Sequence, residues 1–143
     1  MNPEPISYQP IGQVASEFPG YAPSEEMRPR PSRIVLRPEM AAGLLGLEPG
    51  QYILVLFHLH RSQTYELRLH PGHNPANPIR GVFATRSQYR PNPIAATLAR
   101  IVSVADNVVH VTGLDAQDGS PVLDIKPYSP GYDTPTETTG PPP

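Results

Sequence analysis

Proline restricts the folding of this chain more than any other feature: 21 of its 143 residues are proline. Each one holds φ near about −65° and removes a backbone donor, and inside a helix each costs about 3 kcal/mol. Proline at this density excludes a bundle of long helices. It favours short strands joined by stiff turns, the pattern of a sandwich or barrel. The length fits one domain with a modest core.

The apolar pattern places the strands. Residues 52–60, YILVLFHLH, form the strongest one and are apolar on both faces, which predicts a central strand buried on both sides. Residues 64–70 alternate, with Tyr65, Leu67 and Leu69 facing one way and Glu66, Arg68 and His70 the other. Further strands are expected at 6–14 (interrupted by Pro10), 33–37, 82–84, 97–104, 108–112 and 122–126, with Asp106-Asn107 turning a hairpin. Pro38 starts one short helix over 40–47. Proline-rich loops fill 16–31 and 71–78. The expected architecture is mainly β: a single closed or partly open β-barrel over residues 1–127, then a disordered Pro/Thr/Gly-rich tail over 128–143.

Charge narrows the function. The net charge is −2, yet residues 61–100 hold six arginines and one acid, Glu66. Ten of the eleven cationic side chains are arginine and one is Lys126, which favours forked contacts to carboxylate or phosphate over diffuse attraction. The chain contains no cysteine, which excludes disulfides and thiolate metal sites and suits a reducing cytoplasm. No charged-then-apolar leader opens the sequence and no run approaches 18 apolar residues, so a cytoplasmic protein without membrane attachment is expected.

Three stretches carry candidate chemistry. GVFATRSQYRPNPI (81–94) turns from apolar to polar and sets Arg86, Arg90 and Asn92 on a loop stiffened by Pro91 and Pro93. His58 and His60 alternate around Leu59 and, with Glu66, resemble a metal-ligand set of a cupin-like barrel enzyme. GLDAQDGSPVLDIKPY (113–128) holds Asp115, Asp118-Gly119 in a turn, and Asp124 inside an apolar strand, where an acid needs a partner such as Lys126 or Arg86. No glycine-rich phosphate loop or G-x-G-x-x-G occurs.

The first and third stretches together resemble the TsaA-like (TrmO-type) family, S-adenosylmethionine-dependent tRNA methyltransferases with a β-barrel fold. The resemblance implies a homodimer that binds S-adenosylmethionine and N-methylates N6-threonylcarbamoyladenosine in tRNA or another modified adenosine. By position it implies cofactor contacts at His60, Arg61, Arg86, Ala96, Asp118, Gly119, Ser120 and Pro121. It implies substrate contacts at Arg90, Asn92, Lys126 and Tyr128 and no metal. An adenine amine needs an acceptor for its proton, a role open to either Asp118 or Asp124. Residues 28–31 stand where the family has an earlier P-R-Q loop, Gln88 replaces the usual proline, and Ala95-Ala96 replaces glycine and a bulky residue. The other readings open to the residues are the metal-dependent barrel enzyme and a non-catalytic binding module for the cofactor or a small anion.

Overall fold

A computed structural model describes residues 2–135. Six strands close into an antiparallel barrel: β1 (Gly12–Ala15), β2 (Ser32–Leu36), β3 (Tyr52–His58), β6 (Ile94–Ala105), β7 (Val108–Thr112) and β8 (Pro121–Pro127). Around the barrel the order is β1-β2-β7-β6-β3-β8, with β8 returning to β1. A two-stranded hairpin of β4 (Arg68–Leu69) and β5 (Arg80–Gly81) stands on the excursion between β3 and β6.

Closure explains the burial pattern. Along β3, Ile53, Val55 and Phe57 are buried while Leu54, Leu56 and His58 are half-buried. The all-apolar run predicted a strand buried on both faces; a barrel strand has one core face, and its other face looks outward. Ile34 and Leu36 of β2, Val109 and Val111 of β7, and Ala99 and Ile101 of β6 complete the interior, with Leu44, Leu114 and Ala116 packed into the same core. Two register shifts bend the sheet: one in β6, where Val102 between Ile101 and Ser103 has no partner on β7, and one in β8, where Leu123 falls opposite the step from Leu56 to Phe57 of β3. Such bulges add local twist and help a small sheet close.

Several local expectations differ from the structure. Strand β1 starts at Gly12, not at Ile6, since Pro10 cannot donate to a ladder. The expected helix at 40–47 is a 3-10 segment, Pro38–Leu44, with only Leu44 buried in it. The expected strand at 82–84 is a 3-10 turn, Val82–Ala84, in which Val82 is buried and Phe83 is exposed. Of the alternating stretch at 64–70 only Arg68–Leu69 pairs as strand; Leu69 is buried, whereas Tyr65 and Leu67 face solvent. In the segment expected to be a disordered tail, Pro130–Asp133 forms one helical turn, α2, while residues 136–143 lie outside the described residues. A further turn, α1 (Ser24–Met27), interrupts the loop at 16–31 and buries Met27.

Candidate active site

The excursion 59–93 and the loop carrying α1 flank the barrel where β3 ends and β6 begins, and a cavity of about 1190 Å³ opens there. Hydrogen bonds shape its polar loop. Val82 is buried, and Thr85 closes the turn after it: Thr85 N–H and Oγ1–H both donate to Val82 O, at 3.1 and 2.7 Å. Ser87 N–H donates to Thr85 Oγ1 at 3.2 Å and Tyr89 N–H to Ser87 Oγ at 3.2 Å. The Thr85 and Ser87 hydroxyls therefore build consecutive side-chain turns. Arg90 Nη1 donates to Thr85 O (2.9 Å) and Ser87 O (3.2 Å), so its guanidinium braces this loop from within.

Arg86 leaves the loop toward the barrel. Its Nη1 donates to Ala96 O on β6 at 2.8 Å, which joins two positions singled out from the sequence. His60 and Arg61 follow directly on β3, beyond the register shift at Leu56/Phe57, and both line the cavity. Burial, helped by the charges of Arg61 and His58, holds the His60 imidazole below its ordinary pKa; the Asp118 carboxylate and a backbone hydrogen bond to His58 oppose this in part.

Asp115 joins the walls. Its Oδ1 accepts from Thr97 Oγ1 and its Oδ2 from Ser24 Oγ, both at 2.7 Å, which ties β6 to α1. Gly113 N–H then donates to Arg28 O at 2.7 Å, securing the end of α1. Gly113 has φ +90°, and an added Cβ would meet Leu98 O at 3.3 Å, so the approach depends on glycine. Sequence reasoning gave Asp115 no role, because nothing along the chain marks Ser24 and Thr97 as its partners.

The cavity lining thus gathers His60, Arg61, Arg86, Arg90, Ala96, Ser120 and Tyr128 from the sequence-derived set. It adds Tyr21, Arg28, His73, Arg80, Asp115 and Gln117. Asp118, Gly119, Pro121, Asn92, Asp124 and Lys126 do not line it. Asp118 is exposed, and its Oδ1 accepts from Ser16 N–H at 3.0 Å; Gly119 takes the positive φ, +82°, that this turn requires. Asp124 projects from the outer face of β8, half exposed, and pairs with Lys126 Nζ at 2.8 Å, which raises the lysine's pKa. It borders a second, smaller cavity of about 680 Å³ beside the 3-10 segment. Among the described residues no group of three or more His, Cys, Asp or Glu is placed to hold a metal, and no helix is long and apolar enough to cross a membrane.

Five arginines against two aspartates, Asp115 and Asp133, make this a barrel domain with a cationic cleft suited to anionic ligands. The family model for the tRNA-methyltransferase O N-terminal domain matches residues 19–134, and the chain belongs to that family. A probable S-adenosyl-L-methionine-binding protein of Pyrococcus horikoshii is 42% identical over 108 residues, covering 73% of this chain and 77% of its own length. A mouse tRNA (adenine(37)-N6)-methyltransferase is 38% identical over 140 residues, covering 89% of this chain and 32% of the mouse protein. The crystal structure of TrmO from Pseudomonas aeruginosa superposes with a TM-score of 0.69 at 28% identity, over 94% of this chain and 60% of that one. The chain thus spans well under two thirds of the solved TrmO structure it matches and about a third of the mouse enzyme.

Proposed function

We propose that this protein is an S-adenosylmethionine-dependent methyltransferase whose acceptor is an adenosine of tRNA bearing the threonylcarbamoyl group at N6. The observation that carries the reading is the latch from Arg86 to the Ala96 carbonyl, set in a cationic cavity by a chain of this family. The names borne by the Pyrococcus and mouse relatives supply the cofactor and the reaction class.

The residues present fit the cofactor. A carboxylate, an ammonium group and an adenine need a guanidinium, an acceptor and an apolar wall. Arg86 supplies the first, and Leu59 and Ala95 contribute to the third. Gln117 Oε1 is a buried oxygen with no hydrogen-bond partner among the described residues, and its side chain lines the cavity. An acceptor left in that state costs about 1–3 kcal/mol unless a ligand donor meets it. When bound, the cofactor supplies an electrophilic methyl group on a sulfonium. The chain's own task is to align the acceptor nitrogen and exclude water, which rigid loops accomplish without a nucleophilic side chain.

His60, Arg61, Arg86, Ala96 and Ser120, which line the cavity, hold the cofactor in this reading, with Asp118, Gly119 and Pro121 shaping the turn that carries Ser120, and Arg90 and Asn92 keep the loop beside the acceptor. The acceptor nitrogen loses a proton as it gains the methyl group. Neither candidate base lines the cavity: Asp118 lies on the exposed turn next to Ser120 and accepts from Ser16 N–H, while Asp124 faces outward with Lys126, so Asp118 is the one that could reach the site by a shift of its turn. Lys126 and Tyr128 then serve the outer approach to the site.

Calorimetry with S-adenosylmethionine tests the first half. Wild type binds, and Arg86→Ala binds at least tenfold more weakly, as expected for loss of a charge-assisted contact of about 1.5–3 kcal/mol. Labelled methyl donor tests the second: label should enter tRNA carrying the threonylcarbamoyl group and not tRNA lacking it. Folded wild type that ignores the cofactor would remove the enzyme reading and leave a small-anion-binding module.

A further inference from the structure

The cavity's arginines differ in what they already hold. Arg86 is engaged by Ala96 O, Arg90 by Thr85 O and Ser87 O, and Arg28 by Gly113 O through its Nε at 3.4 Å. The guanidiniums of Arg61 and Arg80 make no hydrogen bond or ion pair with any described residue. Arg61 belongs to the set placed on the cofactor. Arg80 was assigned nothing.

Arg80 is solvent-exposed, but its backbone is tightly held. It pairs across the hairpin with Leu69, which is buried, and Val82, two residues on, is fully buried and donates its N–H to Leu67 O at 2.9 Å. The loop joining the two strands is braced as well. Asn77 Nδ2 donates to Pro71 O at 2.7 Å, and His70 Nδ1 lies 2.7 Å from Asn77 O. At its tip His73 has φ 53° and packs edge-on against Tyr89, with ring centroids 4.9 Å apart. Residues 68–80 contain no acid, so nothing on this element neutralises Arg80. The cavity, at about 1190 Å³, is larger than the roughly 300–1,000 Å³ of a pocket for one drug-sized ligand.

We propose that Arg80 is the specificity residue for the acceptor: its guanidinium forks onto an oxyanion carried by the acceptor nucleotide, while the cofactor occupies the part of the cavity served by Arg86. This deepens the methyltransferase reading and rests on it. The oxyanion has two sources, the carboxylate of the adenosine modification or a backbone phosphate beside it. A planar fork matches both, and a point charge on lysine matches the carboxylate less well.

The test uses wild type, Arg80→Ala and Arg80→Lys, with three readouts: cofactor affinity by calorimetry, tRNA affinity across a salt series, and methyl transfer to tRNA with or without the threonylcarbamoyl group. Cofactor affinity should stay within about twofold in both variants. Transfer to modified tRNA should fall about tenfold to hundredfold in Arg80→Ala, the effect of one charge-assisted contact. If the carboxylate is the ligand, Arg80→Ala binds modified and unmodified tRNA alike, and Arg80→Lys recovers little of the discrimination. If a phosphate is the ligand, both tRNAs weaken together, the salt dependence shrinks by about one counterion, and Arg80→Lys recovers most of the binding. Either pattern supports the oxyanion contact. Unchanged tRNA binding and transfer in Arg80→Ala, or a loss of cofactor affinity matching the loss of transfer, overturns it. Wild type that binds the cofactor but labels neither tRNA overturns the acceptor reading itself, a result separable from any effect of Arg80.

Discussion

Two residues of the cleft illustrate how environment, more than residue type, sets chemical behaviour. His60 sits beside Arg61 and close to His58, and burial plus these charges disfavour its protonated form, with Asp118 opposing in part. The imidazole is therefore harder to protonate than an ordinary histidine, and takes up its proton at a lower pH. Since the unfolded chain takes up that proton more readily, the stability linked to His60 is complete above the unfolded pKa and lost as pH falls through the folded one. A chemical-shift titration should give a His60 midpoint below that of an exposed histidine, and Arg61→Ala should move it upward; a midpoint above 6.5 would refute this. Asp115 has a different role, with each oxygen accepting from a hydroxyl at 2.7 Å. Asp115→Ala leaves the Ser24 and Thr97 hydroxyls without that acceptor and should cost about 1–3 kcal/mol in urea unfolding. It should also weaken cofactor binding, because α1 is no longer tied to β6.

At the scale of elements, the barrel depends on a seam made by the short strand β1. Four residues long, β1 pairs with β2 on one side and β8 on the other. Gly12 lies at the point where all three meet: a Cβ there would collide with Val35 O and come within 2.6 Å of Leu36 Cα, both backbone atoms that cannot swing aside. Gly12→Ala should therefore destabilise the protein by about 1–3 kcal/mol or more, as overpacking does, measured as a lower denaturant midpoint. Gly43→Ala is the control, since nothing lies within 4 Å of its added Cβ, and its effect should be much smaller. The two-stranded hairpin behaves differently. It is held to the body by Leu69 and Val82, so Leu69→Ala should cost about 2–5 kcal/mol of packing and loosen Arg80.

For the molecule as a whole, the outer face of β6 carries Ile94, Leu98 and Val102 at regular spacing, exposed by 43%, 40% and 53%, next to Tyr52 on β3. An apolar stripe on a barrel that has no free edge is suited to a second copy of the same face. We propose a homodimer through this stripe. Sedimentation should give twice the chain mass of 15.6 kDa at micromolar concentration, and Leu98→Arg should return the monomer. A wild type that sediments as a monomer throughout would sink the proposal.

What the sequence determined by itself was the β-barrel architecture and the family. Proline density and alternating apolar residues pointed to short strands in a closed or partly open barrel, and the run 81–94 with the run 113–128 identified the family, because those features are local and survive in one dimension. What only the tertiary structure decided was the partner of each polar group. Arg90 looks like a ligand in the sequence and turns out to brace its own loop. Asp124 looks buried and lies on an outer face with Lys126, since alternation marks two faces without saying which one is core. Asp115 and Arg80 acquire significance only once β6, α1 and the hairpin stand around one cavity. Side-chain hydrogen-bond partners separated by up to 102 residues leave no trace in local pattern, because closure of the barrel is what brings them together.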